Sequence, residues 1–120
     1  MYSSNTENLY YKEYKKIYNR FKLIESGLLD FLKKEFSLPT IILFGSYERG
    51  EDNENSDVDI FILTETKKDI NLENYEKKIK KRIQLQIMAK NEFLKAKKDN
   101  PDLINSIING TILNGFIEVL

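Results

Sequence analysis

Two short apolar runs constrain the fold of this chain more than any other feature. The first covers residues 40–44 and is followed by Gly45-Ser46, whereas the second covers residues 57–64 and has acidic residues only at its start. Apolar runs of this length, rich in Ile and bounded by turn-forming residues, are typical of buried β-strands. The sequence therefore predicts two strands joined by a short polar connection.

Helical patterns surround these two strands. Apolar residues recur at helical spacing over residues 1–36, and Ser26-Gly27 is a candidate break in that segment, because Gly disfavours a helix interior and Ser can cap a following helix. Downstream, the pattern predicts a helix over 71–81, an alternating strand over 82–88, helices over 91–98 and 100–110, and a short strand over 111–113. This order predicts an α+β fold with a small mixed sheet backed by helices. We expect residues 1–36 to form a helical segment that packs on residues 37–120, giving a single compact unit.

The apolar stripe of the N-terminal segment is rich in aromatic residues. It comprises Tyr10, Tyr14, Ile17, Tyr18, Phe21, Ile24, Leu28 and Phe31. A stripe at helical spacing usually faces a core or an interface, and we favour that interpretation over base stacking by the tyrosines. If the stripe were exposed, it would offer an apolar docking face to a partner.

The residue types that are present restrict the chemistry. The chain has no Cys and no His, which excludes thiolate zinc sites, Cys nucleophiles and His-based catalytic triads. Metal binding must therefore use carboxylates and hydroxyls, which are hard oxygen ligands suited to Mg²⁺ or Mn²⁺. The 19 basic and 19 acidic residues cancel, so any phosphate-binding site must be local. No run approaches the ~20 apolar residues of a membrane span, and we expect a cytoplasmic protein without membrane contact.

Asp57 and Asp59 are the candidate metal ligands. They lie two residues apart on a predicted strand, so both carboxylates point to the same face and Val58 points to the other. Two neighbouring negative charges repel each other, and a divalent cation between them reverses the sign of that interaction. Carboxylates that bridge metal ions are the arrangement used in phosphoryl chemistry.

Gly45 and Ser46 complement these acids. Gly45 has no Cβ, so a phosphate can approach the backbone closely, and a helical turn is predicted directly afterwards, over residues 47–50. The Ser46 hydroxyl and the N–H groups of that turn can bind phosphate oxygens, helped by the helix dipole. Arg49 lies in the same turn and can reach a triphosphate oxygen. Each piece alone is a weak signal, but the joint pattern of strand, Gly-Ser, ten residues, Asp-x-Asp and second strand predicts a nucleotide site.

The joint pattern resembles the signature of the minimal nucleotidyltransferases of the DNA polymerase β superfamily. The resemblance covers about residues 40–115, and residues 14–38 are similar to the helical lead-in of archaeal members. It implies a polymerase β-like nucleotidyltransferase fold, with ATP or another NTP as donor and Mg²⁺ (or Mn²⁺) held by Asp57 and Asp59. It also implies that a nucleoside monophosphate, AMP where ATP is the donor, is transferred to a hydroxyl. Gly45, Ser46 and Arg49 are then the candidate nucleotide-binding residues, and a protein or RNA is the expected acceptor. Some relatives are antitoxins that pair with an all-helical HEPN ribonuclease, so a HEPN-type partner and a homo- or hetero-oligomer are further implications.

One departure from the family pattern concerns a third carboxylate. In the family it usually lies on the next strand, on the face of the first two acids, and here that face shows Gln84 and Gln86. Gln can ligate a metal weakly through a neutral oxygen, but it cannot act as a base for the attacking hydroxyl. Two hypotheses therefore stay open: an active nucleotidyltransferase, and a catalytically weak or inactive regulatory domain that binds a nucleotide or a partner.

Overall fold

The computed structural model describes residues 4–115, with side chains described from Asn8 onward. Within this range the chain forms six helices and four strands: α1 (Ser4–Glu25), α2 (Leu28–Glu35), β1 (Thr40–Phe44), α3 (Gly45–Glu48), β2 (Val58–Leu63), α4 (Glu73–Ile79), β3 (Ile83–Met88), α5 (Lys90–Asp99), α6 (Pro101–Ile108) and β4 (Thr111–Asn114). None of the helices in residues 4–115 combines the length and apolar character that a membrane span requires.

The four strands form one mixed sheet in the order β3-β2-β1-β4. β1 pairs antiparallel with both β2 and β4, whereas β2 and β3 run parallel. The α+β class with a small mixed sheet is therefore confirmed. The antiparallel pairing of β1 and β2 sets Phe44, the last residue of β1, opposite Asp59 near the start of β2. This register brings the Gly-Ser turn and the Asp-x-Asp segment to the same end of the sheet.

Helices cover both faces of the sheet. On one face, alternate residues of the two central strands form a cluster with α2 and α4 that includes Ile41, Leu43, Val58, Ile60, Ile62, Leu28, Leu32 and Ile79. On the other face, the cluster with α5 and α6 comprises Ile42, Phe44, Phe61, Phe93, Ile104 and Ile107. All five residues of β1 are buried, which explains why this strand is apolar rather than alternating.

Most element boundaries lie close to those predicted. α1 ends at Glu25 and α2 begins at Leu28, with Gly27 in the left-handed region at φ 85°, so the predicted break is confirmed. Asn100 caps α6 by accepting a hydrogen bond from the Leu103 N–H, as predicted. The helical turn after β1 begins at Gly45, two residues earlier than predicted.

The aromatic stripe of α1 does not pack on the core of its own domain. Leu28 and Phe31, in α2, do contact the core cluster, but the α1 members of the stripe are 50–72% exposed: Tyr10, Tyr14, Ile17, Tyr18, Phe21 and Ile24. The core interpretation is therefore wrong for α1, and the interface interpretation stays a prediction. α1 instead contacts the domain through the opposite side of the helix, where Asn19 and Leu23 are buried. Apolar periodicity misidentified the inner face because a polar residue, Asn19, lies at its centre.

Candidate active site

The turn after β1 brings the backbone of Gly45 against the side chain of Asp59. Gly45 has φ +82°, in the left-handed region, and a Cβ placed on it would lie only 2.4 Å from Oδ2 of Asp59. Both the backbone conformation and the lack of space require glycine at this position. The close approach follows from the pairing of Phe44 with Asp59 in the sheet.

Asp57 and Asp59 lie on either side of a buried residue at the start of β2. Val58 is fully buried, whereas both acids are half-buried, so the alternation expected of a strand leaves the two carboxylates on the opposite face from Val58. The ion pairs formed between described residues include neither acid. No described Lys or Arg therefore neutralises these carboxylates by direct contact.

The pKa of Asp59 reflects this arrangement. Burial, and then repulsion from Asp57, raise the pKa of Asp59 above its ordinary value of 3.8, while the charge of Arg49 partly offsets them. Asp57, Asp59 and Arg49 therefore share one electrostatic environment. A carboxylate whose ionised form is disfavoured by desolvation and by a like charge gains stabilisation from a nearby cation.

Arg49 follows α3 and is exposed, and it is held by a neighbouring acid. Its Nε donates to Oε1 of Glu51 at 2.7 Å, and Nζ of Lys12 donates to Oε2 of the same carboxylate at 2.6 Å. The bond from Lys12, and then that from Arg49, lower the pKa of Glu51 to about 2. Since a guanidinium carries further N–H donors on its terminal nitrogens, Arg49 could contact a phosphate without leaving Glu51.

Ser46 is half-buried in the first turn of α3. Its carbonyl accepts a hydrogen bond from the Glu51 N–H at 2.9 Å, which closes the loop behind the turn. α3 has only four residues, so the contribution expected from a helix dipole is small here. The first N–H groups of a helix have no intrahelical acceptor, and these groups with the Ser46 hydroxyl are what this turn offers to an anion.

The segment that builds this site matches a known protein family. Residues 27–114, almost three quarters of the chain, match the family described as Polymerase beta, Nucleotidyltransferase. The chain belongs to the polymerase β nucleotidyltransferase family. Comparison with curated proteins and with solved structures gave no significant match. The matched segment contains the four strands of the described residues and the five candidate site residues, and α1 precedes it.

β3 determines which side chain lies beside the two acids of this polymerase β-type site. In the parallel register Gln84 pairs with Asp59, and Gln86 pairs with Phe61. Gln84 is exposed and Gln86 is half-buried. Across residues 4–115, no three acidic side chains come close enough together to hold a metal ion. The described site thus has two carboxylates and a neutral amide where the family resemblance leads us to expect three acids.

A buried polar cluster joins α1 to α3, which contains the Gly45-Ser46 turn. Asn19 is 3% exposed, and its Nδ2 donates to the Tyr47 carbonyl at 2.9 Å and to Oδ1 of Asp52 at 2.8 Å. The Tyr47 hydroxyl donates to the Asn19 carbonyl at 3.0 Å. Burial raises the pKa of Tyr47, so this hydroxyl stays a proton donor. The cluster fixes α3, and with it the Gly45-Ser46 turn, against α1.

Asp52 is the buried acid of this cluster. It is 8% exposed, and Nζ of Lys81 and Nζ of Lys15 lie 3.4 and 3.6 Å from its Oδ2. The sequence placed Asp52 in a polar loop and gave no role to Asn19. Neither residue carries a local signal, because the burial of a polar side chain depends on the partners that tertiary structure supplies.

Proposed function

We propose that this protein is a Mg²⁺-dependent nucleotidyltransferase that transfers a nucleoside monophosphate, AMP from ATP, to a hydroxyl of a protein or RNA acceptor. The observation that carries the proposal is the approach of Gly45 to Asp59, which joins a glycine-serine turn to a pair of carboxylates. Such a turn suits a phosphate, and the carboxylates suit the cations that accompany a triphosphate. Family membership supports nucleotidyl transfer as the type of reaction.

The side chains beside this turn fit Mg²⁺ or Mn²⁺. Asp57 and Asp59 offer hard oxygen ligands, and the raised pKa of Asp59 reflects a cost of ionisation that a cation would relieve. In this proposal the two aspartates hold the metal. When bound, a divalent cation stabilises the negative charge that develops on the transferred phosphoryl group.

The other candidate residues bind and orient the donor. Gly45 allows the phosphates to approach the main chain, the Ser46 hydroxyl donates to a phosphate oxygen, and Arg49 balances negative charge. The acceptor hydroxyl oxygen forms the new bond to the α-phosphorus while the bond to the pyrophosphate oxygen breaks. The hydroxyl proton passes to water or to a substrate oxygen, since the neutral amide of Gln84 does not take up a proton.

A second candidate function is favoured by the amide at Gln84. With two acids in place of three, the domain would bind a nucleotide without turning it over and would act as a regulatory subunit. The pairing with a HEPN-type helical protein, which the family resemblance implies, stays a prediction in both cases. A neighbouring reading frame that encodes a small helical protein with an Arg-x₄-His motif would support that pairing.

The test is a transfer assay with α-labelled ATP and Mg²⁺, using the neighbouring helical protein and RNA as acceptors. Label should appear on an acceptor with the wild type and be lost in the Asp57→Asn and Asp59→Asn variants. Asp69→Asn is a matched control, because Asp69 is an exposed acid that follows the opposite end of β2. Transfer that survived Asp57→Asn would refute the first proposal. Calorimetry tests the second candidate function, the regulatory subunit, which requires tight Mg²⁺-ATP binding without pyrophosphate release. If no Mg²⁺-ATP binding were measured, both candidate functions would be eliminated.

A further inference from the structure

The two opposite faces of α1 differ in the residues they carry and in what those residues contact. Its inner face combines the buried Leu23 with polar residues, and it is bound to the domain through hydrogen bonds of Asn19, Lys12 and Lys15. Its outer face, which we call the α1 seam, consists of Tyr10, Tyr14, Ile17, Phe21 and Ile24, each more than half exposed. Successive seam residues are four, three, four and three positions apart, which is the a/d spacing of a coiled coil. The seam therefore has the pattern of a helix that pairs with another helix.

The exposed area is large enough for a stable interface. Including the flanking Leu9, Tyr11 and Tyr18, eight large apolar residues of α1 are 50–72% exposed. A buried aromatic side chain covers roughly 150–250 Å², so the seam and its flanks expose on the order of 1,000 Å². The largest apolar patch on a typical monomer is about 300–600 Å², and a standard interface buries about 800 Å² on each partner. A patch of this size on one helix indicates a surface that is covered by another chain.

The residues beside the seam indicate which chain covers it. Glu13 and Arg20 lie along one edge, and Tyr11 and Tyr18 lie along the other. The one ion pair that Glu13 makes with a residue in the described part of the chain is with Lys16 of its own helix, at 3.7 Å, and its side chain is 61% exposed. Arg20 takes part in no ion pair with any residue between Asn8 and Gly115. The edge thus carries one acid and one base, seven residues apart, which makes it complementary to an antiparallel copy of itself.

We propose that two copies of this chain associate through an antiparallel pair of α1 helices. In the register that sets Tyr14 against Ile17 of the second copy, Tyr10 meets Phe21, so four of the five seam residues interlock as alternating a and d layers and Ile24 lies beyond them. The same register sets Glu13 beside Arg20 of the second copy, twice by symmetry, and Tyr11 beside Tyr18. α1 has 22 residues, about 33 Å of helix, and this register overlaps nearly all of it. The two domains lie on the outer sides of the pair, since each is bound to the inner face of its own α1.

Sedimentation equilibrium tests the association. The wild type should have twice the 14.2 kDa mass of one chain at micromolar concentration, and Phe21→Glu and Ile17→Glu should be monomeric. Both residues are more than 60% exposed, so neither change removes a core contact. Leu94→Glu is the matched control, because Leu94 is an exposed apolar residue on α5, and this variant should stay dimeric. A monomeric wild type at 100 µM, or a Phe21→Glu variant that dimerises normally, would overturn the proposal.

Charge reversal tests the antiparallel register without altering the apolar seam. Glu13→Arg and Arg20→Glu should each raise the dimer Kd about tenfold, because each puts like charges together twice. The double variant, E13R/R20E, should restore the wild-type Kd. In a parallel pair Glu13 would face Tyr18 instead, so an unchanged Kd for Glu13→Arg, or a double variant as weak as the singles, would refute the register. A wild type that stays monomeric alone but binds a helical partner through the seam would replace the proposal with a hetero-complex.

Discussion

Gly45 and Asp59 are in contact: a Cβ on Gly45 would lie 2.4 Å from Oδ2 and 3.3 Å from Cβ of Asp59. The Asp59 carboxylate can therefore lie against the backbone of the Gly-Ser turn because Gly45 has no side chain. The sheet register makes this contact, because Phe44 and Asp59 are paired residues.

A comparison of Gly45→Ala with Gly27→Ala should distinguish the effect of backbone strain on stability from the effect of the Gly45–Asp59 contact on Mg²⁺-ATP binding. Both glycines have positive φ, near 82° and 85°, but a Cβ at Gly27 would make an ordinary 3.9 Å contact with Tyr75. We expect Gly27→Ala to lose about 1 kcal/mol of unfolding free energy through left-handed strain, and Gly45→Ala to lose more because its Cβ also meets the Asp59 side chain. Only Gly45→Ala should weaken Mg²⁺-ATP binding, by about 10-fold or more, since it displaces a carboxylate. Urea denaturation and calorimetry measure the two effects, and equal binding by both variants would contradict the proposed role of the contact.

Asp59→Asn should stabilise the metal-free protein at neutral pH. The pKa of Asp59 is raised in the folded state by burial and by Asp57, so stability is lost as the pH rises from the ordinary value of 3.8 through that raised pKa. We expect a gain of about 0.5 kcal/mol in unfolding free energy, the size of a like-charge repulsion near a surface.

The gain in unfolding free energy of Asp59→Asn should depend on pH. The gain should be complete above the raised pKa and should vanish as the pH falls below the ordinary value of 3.8, where Asp59 is protonated in both the folded and the unfolded state. Thermal denaturation between pH 3 and pH 8 without divalent cations measures it, with Asp69→Asn as the control acid. Added Mg²⁺ should raise the Tm of the wild type but not that of Asp59→Asn. A Tm of Asp59→Asn below that of the wild type at pH 7 would contradict the prediction.

Gln84→Glu should supply the third acid that the site lacks. Gln84 pairs with Asp59 in the parallel register of β2 and β3, so the new carboxylate joins two existing ones. We expect Mn²⁺ affinity to rise about tenfold and metal-free stability to fall by about 0.5 kcal/mol through repulsion. Gln86→Glu, which pairs with Phe61 instead, is the matched control. Calorimetric titration with Mn²⁺ measures the affinity, and an equal gain in both variants would show that the position beside Asp59 has no special role.

Asn19→Ala should destabilise the protein although it removes no apolar contact. The change leaves the Tyr47 carbonyl and the buried Asp52 carboxylate each without the hydrogen bond that Nδ2 donates. A buried polar group that loses its partner costs roughly 1–3 kcal/mol, and urea denaturation should show a loss of about 2 kcal/mol. Asn105→Ala on the exposed side of α6 should change stability by no more than about 0.5 kcal/mol. A loss in Asn19→Ala as small as that in Asn105→Ala would mean that the cluster does not hold α1 in place.

The sequence was sufficient for the sheet and for the order of its elements. The strands β1 and β2 were recognisable because four-to-six-residue apolar runs with Gly and Asp at their ends have few alternatives. The face shared by Asp57 and Asp59 followed from strand geometry, and so did the face on which Gln84 and Gln86 lie. The alternation of apolar and polar residues in β3 was recognisable because only one face of this strand packs against the apolar cluster of α2 and α4.

The parts that the sequence could not provide depend on long-range contacts. The approach of Gly45 to Asp59 requires the register of β1 on β2, which no local pattern encodes. The burial of Asp52 depends on Asn19, 33 positions earlier, and the exposure of the α1 stripe follows from that same contact. The apolar pattern of α1 indicates which residues favour burial, but it does not indicate whether the same chain or a second chain buries them.

The contact between Asn19 and Asp52 crosses the start of the family match, because that match begins at residue 27 whereas Asn19 lies in α1. A protein trimmed to the matched segment would lose the only side-chain amide that bonds to Asp52 among the described residues, and the Tyr47 hydroxyl would lose its bond to the Asn19 carbonyl. We therefore expect the folding unit to be larger than the matched segment, so that expression of residues 27–114 alone should give an unstable product. We expect the smallest autonomously folding unit of this chain to include α1, the helix that precedes the segment matched by the family.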